Sequence, residues 1–171
     1  MTALTRVLYQ ITGGHFFAIG DAARDKRVYA YTVACPSSTA SLFTGESAVE
    51  MREFAPYAME LDFADSGATA MINSLWGESC MVYIKANCGL SDLVRHLRHL
   101  TIVELPDGRK VYFRFYDPRV LRGFLPSLTA DERSAFWGPV DSFLVESVCR
   151  SKLLQFRPRE PAPVEVSVDG T

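Results

Sequence analysis

The chain has 171 residues, of which 48% are hydrophobic and 22% charged, enough apolar material for one substantial core. Eighteen basic against twenty acidic side chains leave a net charge of -2, which excludes the strongly basic footprint of a nucleic-acid binder. No run reaches the roughly 18 apolar residues of a membrane span, and Cys35, Cys80, Cys88 and Cys149 lack C-x-x-C spacing and follow no export signal, so reduced thiols in a cytoplasm are expected.

In chain order, residues 1–14 read as a leader, and Phe16 to Ile19 as a strand that Gly20-Asp21 turns out of. Asp25 caps a helix carrying Val28, Tyr29, Thr32 and Cys35 on one side, and Pro36 closes it. Ala40 to Phe43 is a short strand, Glu46 to Phe54 a helical turn, and Tyr57 to Asp62 an edge strand or extended segment. From Ser66, the residues Ala68, Met71, Ile72, Leu75 and Trp76 recur at the spacing of a buried helical face, which Gly77 ends in a left-handed cap.

Cys80 to Ala86 alternates as a strand, and Ser91 caps a helix with Leu93, Val94, Leu97 and Leu100 inward. Pro106-Asp107-Gly108 then separates two apolar-rich runs, a hairpin signal over 101–116. Val111, Phe113 and Phe115 alternate with Tyr112, Arg114 and Tyr116, so one face is core and the other mixes aromatics with a cation. Asp117 caps the next helix, Pro118 sits where its missing N–H costs nothing, and Val120, Leu121, Phe124 and Leu125 share its apolar face until Pro126 stops it.

Thr129 to Glu132 has capping-box spacing for a helix ending at Trp137, before Gly138-Pro139. Asp141 to Val148 supplies a last strand, and prolines among few large apolar groups make the 149–171 extension a flexible tail. Strands alternating with helices predict an α/β (α+β) fold: a single mixed sheet with flanking helices that contains the hairpin, over a domain spanning 15–148.

For chemistry, His96 and His99 lie three apart on a helix without a third ligand at metal spacing, and His15 is alone. No G-x-S-x-G elbow, H-E-x-x-H helix or phosphate-binding loop occurs, so no catalytic residue, metal or cofactor is expected. The cluster Arg95, Arg98, Arg109 and Lys110 reads as a solvated face. Asp21 and Arg24 read as an ion pair pinning the first turn, or as a charged contact for a partner. Arg114, Arg119 and Arg122 beside Tyr112 and Tyr116 have the composition of a protein-binding surface, unless they pair with acids such as Glu104 or Asp131. Trp137 is either core or a further anchor of that surface.

The stretch from Pro106 to Pro126 resembles the signature of a bacterial family that travels with type VI secretion: adaptor or chaperone proteins, long catalogued as a domain of unknown function. Ala18-Ile-Gly-Asp-Ala-Ala-Arg24, Leu42-Phe43 with Gly45, Ala55-Pro56-Tyr57 leading to Leu61, Trp76-Gly77, His96-Leu97-Arg98 and Phe136-Trp137-Gly138-Pro139 follow the same order, so the resemblance spans roughly 15–147. It implies a non-catalytic cytoplasmic adaptor that binds a toxin-bearing effector, often through the effector's N-terminal segment, and loads it onto the tail of the VgrG spike protein, with neither nucleic acid nor membrane as partner. Relatives often carry a helical lobe after the equivalent of Val148, for which this chain is too short. Two rival readings are a small enzyme acting on a nucleotide or acyl group with His96 or Asp21 as base, and a structural subunit of a larger assembly.

Overall fold

In the computed structural model of the chain, residues 1–168 are described, apart from the His15 side chain. The last three residues of the 149–171 extension lie outside them. In chain order the first half comprises α1 (Ala3–Thr12), β1 (His15–Asp21), α2 (Lys26–Ala34), β2 (Thr39–Ser41), α3 (Glu46–Glu50), β3 (Pro56–Asp62), α4 (Ser66–Leu75) and β4 (Met81–Ala86). The second half comprises α5 (Leu90–Leu100), β5 (Ile102–Glu104), β6 (Lys110–Tyr112), α6 (Pro118–Phe124), α7 (Ala130–Trp137), β7 (Val140–Glu146), β8 (Lys152–Phe156) and β9 (Val164–Ser167).

The run Phe16-Phe17-Ala18-Ile19 is apolar on both sides of its alternation, which requires that both faces of the sheet be covered there. Accordingly β1 lies inside a seven-stranded sheet of order β2-β3-β1-β4-β7-β8-β9. Phe16 and Ala18 join a core with Leu8, Val28 and Ile72, from α1, α2 and α4. Phe17 and Ile19 join the opposite core with Leu97, Leu121 and Phe136, from α5, α6 and α7. The result is an α+β fold in three layers, helices over both faces of one sheet.

Every pairing in the large sheet is antiparallel among the described residues, where a mixed sheet is the sequence expectation. The reason lies in the connections. Because β1 pairs antiparallel with both β3 and β4, those two strands run the same way on either side of it, and α4 crosses over β1 to join strands that are not neighbours. The hairpin also stands apart, as a separate two-stranded sheet of β5 and β6. The segment at 56–62 is not an edge, since β2 pairs outside it.

Several caps fall where expected: Asp25 accepts from the Arg27 N–H, Asp117 from the Arg119 N–H, and Thr129 with Glu132 completes a capping box. Gly77 takes the left-handed conformation, φ 88°. Others differ. Ser91, the expected cap, lies within the first turn of α5, whose N-cap is Gly89, and Val120 is exposed, against the expectation that it shares the apolar face of α6. The expected leader is α1, capped by Thr2 and burying Leu4 and Leu8. The expected tail supplies β8 and β9, with Leu153 and Phe156 buried. Among the described residues no helix is long and apolar enough to cross a membrane.

Candidate functional site

The segment between β4 and β7 that carries the strongest sequence signal packs its buried residues Phe115, Tyr116, Leu121 and Leu125 on one face of the sheet. The hairpin closes through Leu105 N–H to the Arg109 carbonyl at 2.8 Å and Phe113 N–H to the Thr101 carbonyl at 2.9 Å. Gly108, at φ 80°, supplies the left-handed residue of its turn. After Tyr112 the chain leaves strand geometry and turns, Asp117 N–H donating to the Arg114 carbonyl at 3.0 Å. Alternation therefore fails at this point: the neighbours Phe115 and Tyr116 are both buried, rather than on opposite faces.

The three arginines are brought to one seam but are held by the protein itself. Arg114 pairs with Asp21, a carboxylate only 1% exposed at the end of β1, and its guanidinium stands 5.8 Å from the Tyr116 ring centre. Arg119 folds back on Asp117, giving its backbone N–H and Nε to one carboxylate oxygen at 2.9 and 3.0 Å and a terminal nitrogen to the other at 2.6 Å. Burial pushes the Asp117 carboxyl up, but these bonds outweigh it and hold its pKa below the usual carboxylate value. Arg122 donates to the Glu146 carbonyl at 2.6 Å.

These partners are not Glu104 or Asp131, and Asp21 does not pair with Arg24, whose guanidinium donates to the Glu78 carbonyl at 3.3 Å. Glu146 is itself buried and accepts from the Gly77 N–H and the Ser79 hydroxyl, each at 2.7 Å, stitching β7 to the turn after α4. An acid closing the apolar strand segment Phe143-Leu144-Val145 was the available sequence signal for it.

Of the six residues proposed for partner contact, Tyr112 is 62% exposed, while Tyr116 is 6% and Trp137 2% exposed. Arg114 and Arg119 keep about half of their side-chain surface open while paired. Trp137 packs on Phe143 at 5.1 Å between ring centres, and its indole N–H has no partner among the described residues. His96 sets its Nε2 2.9 Å from the Phe136 carbonyl. Among the described residues no group of three or more His, Cys, Asp or Glu is placed to hold a metal ion.

What the sequence reading missed is the groove beside this seam. Leu100, Val103, Phe113, Phe124, Leu128 and Phe136 line an open hollow of about 650 Å³, with His99 and Glu132 as polar members. Phe113 meets Phe124 edge-on at 4.6 Å, and Phe124 meets Phe136 at 5.2 Å. Such a surface binds by excluding water from apolar area, with few polar groups to direct a reaction. It arises because the hairpin stands off the large sheet, so that its inner side roofs the helices without sealing against them.

Fold and groove together define an α+β protein that carries an aromatic cleft on one face of an antiparallel sheet. The chain belongs to the family described as a domain of unknown function (DUF4123), which matches residues 16–135. No curated protein matches the chain, and no solved structure does.

Proposed function

We propose that this chain is a non-catalytic adaptor that holds a type VI secretion effector and loads it onto the VgrG spike protein. The observation that carries the reading is the open apolar groove of Phe113, Phe124, Leu128 and Phe136, built from the segment that resembles the effector adaptors. An adaptor needs a stable frame that presents apolar surface to a polypeptide segment unable to fold alone, and a three-layer core supplies such a frame. Asp21, a candidate base of the enzyme reading, spends both carboxylate oxygens on Arg114 and the Ala23 N–H, which supports a binding role.

The test is co-expression with the neighbouring toxin-bearing effector and the spike tail, followed by affinity capture. Wild type is expected to retain both proteins. Val103→Asp combined with Leu128→Asp, which charges the groove without touching the Asp21 to Arg114 pair, is expected to lose the effector at least tenfold while keeping the wild-type melting profile. Failure of the wild-type chain to retain either protein would remove the adaptor reading.

A further inference from the structure

The hairpin roofing the groove is a sheet of only two strands, so each strand has one edge without a neighbour. In an antiparallel pair, residues alternate between those bonded to the partner strand and those whose N–H and C=O point away from it. Here Thr101 with Phe113 and Leu105 with Arg109 are bonded pairs, so the intervening Ile102 and Glu104 turn their backbone groups outward from β5. On β6 the outward residues are Lys110 and Tyr112, and the Tyr112 ring packs against Phe43 at 5.7 Å. All three residues of β5 are exposed, and β5 begins two residues after Leu100 and includes Val103, both of which line the groove.

Charge points the same way. Asp107 is taken by Arg109 and Glu132 by Thr129, whereas Glu104 on the open edge has no ion-pair partner among the described residues. From this we infer that β5 is a docking edge for an extended segment of the effector, which adds as a third strand, turns alternate apolar side chains into the groove and sets a Lys or Arg opposite Glu104. This rests on the adaptor reading and specifies how the cargo is held: main-chain bonds give affinity, and the groove selects side chains at every second position.

The experiment separates this from the adaptor reading itself. Glu104→Pro removes one outward N–H while leaving the bonds inside the hairpin intact, because proline is tolerated on an edge strand and the preceding Val103 is already extended. Glu104→Ala removes the charge alone. With the neighbouring effector as probe, Glu104→Pro is expected to weaken capture at least tenfold and Glu104→Ala only a few-fold. In wild type, the Ile102 and Glu104 amides are expected to exchange freely in the isolated chain and to slow at least tenfold in the complex. Effector capture by Glu104→Pro equal to wild type, with both amides unchanged in the complex, overturns strand addition and leaves the adaptor standing. No capture by wild type ends both, and protection of the two amides in the isolated chain at high concentration assigns the edge to a second copy and overturns the inference.

Discussion

Asp117 gathers three hydrogen bonds from Arg119 onto a carboxylate that is almost wholly buried, so its loss is felt both as a missing cap and as a missing ion pair. Asp117→Asn keeps a capping oxygen but loses the charge paired with Arg119, and is expected to cost about 1 kcal/mol at neutral pH, the upper scale of a part-exposed ion pair. Its folded pKa lies below the ordinary 3.8, so this contribution is complete above that value and fades as pH falls through the lower folded one. Urea unfolding at a series of pH values should therefore show the variant and wild type converging in acid. Among the thiols, Cys149 is exposed, and Ser147 and Ser151, 3.2 and 3.0 Å from its sulfur, lower its pKa to about 7, whereas burial pushes Cys80 up to about 12. An alkylating reagent at pH 7 should modify Cys149 first and leave Cys80 untouched until the chain unfolds, as peptide mass mapping would show. At this scale the local roles were legible, because a cap is written in neighbouring residues. The Asp21 to Arg114 pair was not, since 93 residues separate its members.

Helices α2 and α4 were readable from apolar periodicity and their ends, and their packing depends on a position that the pattern does not explain. Gly20 in β1 lies under α2: a Cβ there would come within 2.7 Å of Val28 Cγ1 and 2.8 Å of Met59 Cε. Met59 ends in a flexible thioether, but the branched Val28 has little freedom to yield. Gly20→Ala is expected to destabilise by about 1 to 3 kcal/mol through overpacking, seen as a lower urea midpoint with an unchanged slope. The elements the sequence reading lost, α1 and β8, did carry a signal: Leu4, Leu8 and Ile11 follow a helical spacing between Thr2 and Gly13. Leu153 and Phe156 lie in a short apolar run beside prolines, where composition outweighed pattern. The hairpin was legible as a hairpin, while its separation from the large sheet was not, because local pairing does not determine which strand lies alongside.

For the whole molecule, the terminal strands are part of the frame. Leu153 contributes to one core and Phe156 to the other, and β8 covers the far side of β7. A chain ending at Val148 is accordingly expected to be recovered largely in the insoluble fraction and to lack a cooperative thermal transition in circular dichroism, whereas a mobile tail would be dispensable. The α+β class, a sheet with flanking helices, was legible from the order of apolar segments; the groove was not, since it is formed by the gap between elements rather than by any run of residues. That gap also has a particular position along the chain. β4 and β7 are hydrogen-bonded neighbours, yet everything that lines the cleft lies in the excursion between them. Its two ends emerge side by side, so a change of length in its hairpin need not disturb any strand pairing of the large sheet. The mouth of the cleft can thus be lengthened or shortened at the hairpin tip while the ladder beneath it keeps its register.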